Sequence, residues 1–101
     1  MYGLKDETVR QLKSIFNDQQ DIEKVVLYGS RAKGDFREGS DIDLTVFGKN
    51  LSLKTIYNID EKIEELLLPY NIDLSIYDQI DNPDLIEHIE RVGKTFYERK
   101  N

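Results

Sequence analysis

Ile42-Asp43-Leu44-Thr45-Val46-Phe47 is matched thirty residues later, position for position in character, by Ile72-Asp73-Leu74-Ser75-Ile76-Tyr77. The first copy alternates, with Ile42, Leu44 and Val46 on one side and Asp43, Thr45 and Phe47 on the other, which is the side-chain period of a β-strand. Between the copies, Ser52 to Leu68 carries Leu53, Ile56, Ile59, Ile63, Leu66 and Leu67 at helical spacing, and Pro69 stops it. A strand, a helix of that length and a second strand make a crossover, whose strands run parallel. In register, Asp43 and Asp73 are neighbours about 4.8 Å apart along the sheet. Asp41 lies two residues before Asp43 on the same face. Three carboxylates then converge at one patch.

The remaining elements follow from the same periodicities. Asp6 to Phe16 is an amphipathic helix with Val9, Leu12, Ile15 and Phe16 inward and Asp6 as its cap. Asn17 to Asp21 reads as a turn. Val25-Val26-Leu27-Tyr28 is a buried strand that stops at Gly29. Ser30 to Lys33 opens a short helix capped by Ser30, and Gly34 to Ser40 is an exposed loop. Asn71 to Tyr77 is the next strand. Pro83 starts a last helix with Leu85, Ile86, Ile89 and Val92 inward; Gly93 ends it, and Thr95-Phe96-Tyr97 returns as an edge segment. The fold expected is α/β: a small mixed sheet of three or four strands flanked by helices, within a single domain over residues 1–101.

Composition narrows the function classes. The chain has no cysteine, which removes disulfides, thiolate nucleophiles and thiolate metal sites and fits a reducing cytoplasm. Its first residues lack the apolar core of a signal peptide, and no apolar run approaches the ~20 residues that span a bilayer. A formal charge of −6 disfavours indiscriminate nucleic-acid binding. Against that background Arg31, Lys33 and Arg37 form a local basic cluster.

Three anions in one patch need a counter-ion. Two like charges 4 Å apart repel by roughly 4 kcal/mol at an effective dielectric of 20. Carboxylate oxygens are the ligands Mg²⁺ and Mn²⁺ prefer, and two such cations clamp the attacking and leaving oxygens of an in-line displacement. Asp41 and Asp43 suit a triphosphate-bound metal; Asp73 suits the second metal and the proton of an attacking hydroxyl. The turn after the first strand supplies the phosphate side. Gly29 lets backbone approach a phosphate, amides at Gly29, Ser30 and the helix start can donate to it, and Ser30 adds a hydroxyl. Arg31 and Lys33 can neutralise phosphate charge, or stand as solvated surface residues.

Gly29-Ser30, ten intervening residues, Asp41-Ile42-Asp43 and a later strand with Asp73 together resemble the polymerase-beta-type nucleotidyltransferase superfamily. Gly-Ser-Arg-Ala-Lys-Gly followed by Ser-Asp-Ile-Asp-Leu is similar to its minimal nucleotidyltransferase branch. The likeness covers about Val25 to Tyr77 and includes all three carboxylate positions. It implies a palm-like nucleotidyltransferase fold, two Mg²⁺ (or Mn²⁺) ions, ATP as substrate, and transfer of AMP or another NMP to a hydroxyl with loss of pyrophosphate. Members of that branch pair with HEPN-domain toxins and act as antitoxins by nucleotidylating a toxin tyrosine. The resemblance therefore implies a HEPN partner, in a hetero-oligomer. The other roles open are adenylylation of a small molecule such as an aminoglycoside, and a non-catalytic module that neutralises a partner by occlusion.

Each feature alone has an ordinary reading. Gly-Ser ends strands, and an isolated Asp-x-Asp is the polar face of a solvated strand. It is the joint spacing that carries the metal–nucleotide reading. His88, the single histidine, flanks the last helix's apolar stripe and reads as a surface or packing residue. The acidic run Asp60, Glu61, Glu64, Glu65 reads as a solvated helix face. Tyr28 and Tyr77 read as packing residues before base-stacking ones.

Overall fold

β-Branched and aromatic residues over Ile22–Tyr28 form β1, which extends three residues upstream of the Val25 start read from sequence. The structure, a computed structural model, describes residues 1–100. The order along the chain is α1 (Asp6–Asn17), β1, α2 (Ser30–Lys33), β2 (Ile42–Gly48), α3 (Leu53–Glu65), β3 (Ile72–Ile76), α4 (Pro83–Val92) and β4 (Lys94–Glu98). A single 3₁₀ turn, Tyr77–Gln79, separates β3 from α4.

The four strands form one mixed sheet in the order β3-β2-β1-β4. β1 runs antiparallel to both β2 and β4. β2 and β3 are parallel, paired from Ile42↔Ile72 through Asp43↔Asp73 to Val46↔Ile76. The echo between the two strands is thus the register of the sheet, with α3 as the crossover.

Helices cover both faces. α1 and α3 lie on one side, where Leu12, Phe16 and Ile59 pack with Leu27, Ile42, Leu44, Val46 and Phe96. The Phe16 and Phe96 rings meet edge to face with centroids 6.3 Å apart. α4 covers the other side alone, where Ile89 meets Val26 and Tyr28 beneath a partly exposed rim of Phe47, Tyr77, Leu85 and Val92. This second layer buries Thr45, a position that alternation by itself assigns to the polar face.

Local details differ from expectation for identifiable reasons. Asp6 is the first helical residue, not the cap; Lys5 holds that place, and Asp6 sits where the helix dipole favours an anion. Gly29, not Ser30, caps α2. α3 stops at Glu65, ahead of Pro69, and Leu67 turns back at φ 53°. Leu53 and Leu67 therefore leave the buried stripe and stand 60% and 88% exposed. On α4 only Ile89 is fully buried, because one helix on a short sheet leaves its flanks open. Asn82 caps α4 by accepting from the amides of Asp84 and Leu85, and Pro83 takes the first helical place. No helix is long and apolar enough to cross a membrane among the described residues.

Candidate active site

Parallel pairing sets Asp43 and Asp73 side by side, and antiparallel pairing sets Tyr28 on the other flank of Asp43. All three belong to the face that α4 covers, at the end of the sheet where β1 stops and β2 and β3 begin. Asp41 stands exposed just ahead of β2, and Asp73 is exposed on the edge strand. Asp43 is half-buried. Burial raises its carboxyl above the usual carboxylate range, and the charges of Asp73 and Asp41 raise it further. Among the described residues, no three His, Asp or Glu side chains enclose an ion by themselves. The convergence of three carboxylates expected from the sequence is thus met only by the Asp43↔Asp73 pair, with Asp41 exposed ahead of β2.

The turn beside these carboxylates is built around Gly29. Its φ of 77° and ψ of −158° are open only to glycine. A Cβ there would overlap the Asp43 carboxylate, so the absent side chain is what lets β2 bring Asp43 against the turn. The Gly29 amide donates to His88 Nε2 at 3.1 Å. It is therefore committed to the protein, which corrects its expected role as a phosphate donor; Gly29 serves by shape. Ser30 follows as the first residue of α2, and the amides opening that turn have no intrahelical acceptor. The Ser30 amide and hydroxyl stand at the opening of this turn.

Arg31 overturns its expectation. It is 2% exposed. Its Nε and Nη2 donate to the Ser40 carbonyl at 3.1 and 2.8 Å, and its Nη1 donates to the Tyr2 carbonyl at 2.8 Å. The guanidinium lies over the rings of Phe36 and Tyr70, 5.1 and 4.8 Å from their centroids. Neither phosphate ligand nor solvated residue, it is a strut joining α2 to the chain terminus and to the loop entering β2. Its grip on the Ser40 carbonyl anchors the residue immediately before Asp41. Lys33 is exposed at the far end of α2, with Nζ 3.5 Å from the Asp35 carboxylate.

Two residues at the site were not read as site residues from sequence. His88 reaches it because α4 lies on the carboxylate face; the only hint was its place between Leu85 and Ile89 on the helix. Tyr28, 6% exposed, meets the His88 ring edge-on at 6.1 Å. Burial and the nearby Asp73 and Asp43 charges raise its hydroxyl above the usual phenol range, though the nearby Ser75 hydroxyl opposes this. Ser75 Oγ is itself buried without a well-formed hydrogen bond among the described residues. Tyr77 stacks on Phe47 at 4.3 Å and donates its hydroxyl to Glu90, so its ring is already engaged.

The carboxylate end is open. A hollow of about 440 Å³ lies between the end of α3 and the start of β3, lined by Asp60, Ile63, Glu64, Leu67, Tyr70 and Ile72 among others. None of Asp41, Asp43 or Asp73 lines it. Asp60 at that hollow is raised by burial first, then by Glu64 and Asp73.

Comparison with known proteins agrees with this fold. MJ0141 of Methanocaldococcus jannaschii, to which protein adenylyltransferase activity is ascribed, is 31% identical over 90 residues, spanning 86% of this chain and 89% of its own. MJ1379 of the same organism, described likewise, is 33% identical over 86 residues, 83% of this chain and 86% of its own. Among solved structures, a toxin–antitoxin with AMP-PNP superposes with a TM-score of 0.73 at 19% identity, over 91% of this chain and 74% of that one. A tri-AMPylated Shewanella oneidensis HEPN toxin in complex with its MNT antitoxin gives 0.70 at 16% identity, over 95% and 74%. At such identities the superpositions speak for the fold. The sequence profile described as polymerase beta, nucleotidyltransferase matches residues 10–101. With that match over most of its length, the chain belongs to the polymerase beta nucleotidyltransferase family.

Proposed function

We propose that this chain transfers AMP from ATP to a hydroxyl of a partner protein. The observation that carries the reading is the Asp43↔Asp73 register beside the Gly29–Ser30 turn. Ser30 receives the polyphosphate. Asp41, Asp43 and Asp73 are the residues that would hold divalent cations, Mg²⁺ by preference and Mn²⁺ by chemistry. Bound there, the cations would neutralise the carboxylates and the charge developing on the phosphates. Asp73, exposed on the edge strand, takes the proton of the acceptor hydroxyl. The acceptor oxygen bonds to the α-phosphorus, the bond from that phosphorus to the bridging oxygen breaks, and pyrophosphate leaves.

Openness around the carboxylates favours a macromolecular acceptor that brings its own wall. A helical HEPN-domain toxin with an acceptor tyrosine fits that requirement. It also fits the relatives' ascribed protein adenylyltransferase activity and the antitoxin complexes of like fold. In this reading residues 1–101 are one minimal nucleotidyltransferase domain, acting in the cytoplasm as the antitoxin of such a pair.

The test is incubation with each labelled NTP, Mg²⁺ and the product of the neighbouring gene, read by intact mass. A gain of one or more AMP units on the neighbour is the expected result. Neutralisation of the neighbour with no covalent addition would replace transfer by occlusion.

A further inference from the structure

The Gly29–Ser30 turn is held from three sides. The strand-to-helix reversal sets its positive φ, and the Asp43 carboxylate fills the space a side chain would take. From α4, across the sheet face, the His88 ring accepts the Gly29 amide through Nε2 at 3.1 Å. The positive φ is a rotation about the N–Cα bond of Gly29, so it fixes one way for the Tyr28–Gly29 peptide plane to face. The hydrogen bond to His88 is the contact that holds the plane in that rotation.

We propose that His88 is a positioning residue for nucleotide binding. Its Nε2 orients the peptide entering Gly29, and with it the direction in which the following Ser30 amide and hydroxyl point. An imidazole nitrogen that accepts carries no proton, so His88 holds its proton on Nδ1, the less common tautomer of a free imidazole. Tyr28, meeting the ring edge-on, limits its rotation and keeps Nε2 on the turn. This explains why a buried strand end, a glycine and the chain's single histidine meet at one point. It also separates two jobs within the turn: Gly29 is held by protein so that Ser30 can be offered to phosphate.

This inference rests on the reading of the turn as a triphosphate site, and one experiment separates the two. Uniformly ¹⁵N-labelled full chain is examined for scalar coupling across the hydrogen bond between Gly29 N and His88 Nε2. MgATP is then titrated into wild type, H88F and H88Q. The expected result is a resolved coupling in wild type and a Kd for MgATP raised about tenfold in H88F, the weight of one hydrogen bond. H88Q, whose Oε1 reaches the place of Nε2, should recover most of that affinity. A purely structural role would lower the melting temperature of both variants without that recovery. Absence of the coupling in wild type, or an unchanged Kd in H88F, overturns the inference while leaving the triphosphate site intact. Wild type that shows the coupling yet does not bind MgATP overturns the site reading, and the inference with it. If H88F does not fold, H88N takes its place, since its shorter amide falls short of the turn; the coupling in wild type decides independently.

Discussion

The two faces of the sheet are built to different ends. Under α1 and α3, Leu12, Phe16, Ile42, Leu44, Val46 and Ile59 are fully out of solvent and carry no charge. Under α4, the buried residues are Val26, Tyr28, Thr45 and Ile89, and much of the rest of that face is given to Asp43, Asp73 and the residues around them. The same strands serve both, because alternate residues point to opposite sides. Cohesion on the first face lets the second tolerate what would otherwise be unfavourable: a half-buried carboxylate beside two others, a buried phenol, an orphaned serine hydroxyl. Such local costs of a few kcal/mol are borne only where the remainder of the domain is well packed.

That division can be broken from either side. The largest effect should come from Asp43→Asn, which keeps shape and removes charge. Transfer onto the partner should fall by on the order of 10³-fold, the scale for losing one group that acts on transition-state charge. Circular dichroism should show the fold unchanged. Retained transfer would mean that the chemistry lies elsewhere.

Next come truncations of equivalent kind on the two faces. Phe16→Ala should destabilise by about 3–5 kcal/mol in urea denaturation, a cavity in the closed face. Ile89→Ala on the thin face should cost about 2 kcal/mol, the low end for such a change, because solvent can enter the space left. Equal costs would contradict the asymmetry described above.

The smallest effect is electrostatic and read in EDTA. Asp43 is raised above its ordinary value of 3.8 by burial and by its acidic neighbours, so the folded state binds its proton more tightly than the unfolded chain does. Its contribution is therefore fully present below the unfolded value and is lost as pH rises through the higher folded one. Relative to Asp43→Asn, wild type should lose stability as pH climbs from about 3.8 and then level off above the folded value. Adding Mg²⁺ with ATP should reverse the difference. A difference flat with pH would place Asp43 in an ordinary solvated setting.

Much of this was legible in residue order because it depends on short-range periodicity. The echo between Ile42–Phe47 and Ile72–Tyr77 specified two parallel strands in register, and the period of two put Asp43 and Asp73 on a common face. Gly29 was legible as the turn because few other residues take its conformation. Termination of α3 was read too late, since Pro69 marks a limit and the chain reversed before it.

Residue order alone determined the strands, the crossover and the carboxylate pair, since each follows from local spacing and the geometry of one sheet. Tertiary structure alone decided the side on which α4 lies. With that came the identity of the residue behind the turn, His88, and the burial of Thr45. It likewise turned Arg31 from an apparent phosphate ligand into a strut, because Tyr2, the loop residues Phe36 and Ser40, and Tyr70 come from three separated stretches of chain. A guanidinium's partners are set by which carbonyls and rings the fold brings within reach, and periodicity along the chain carries no record of that.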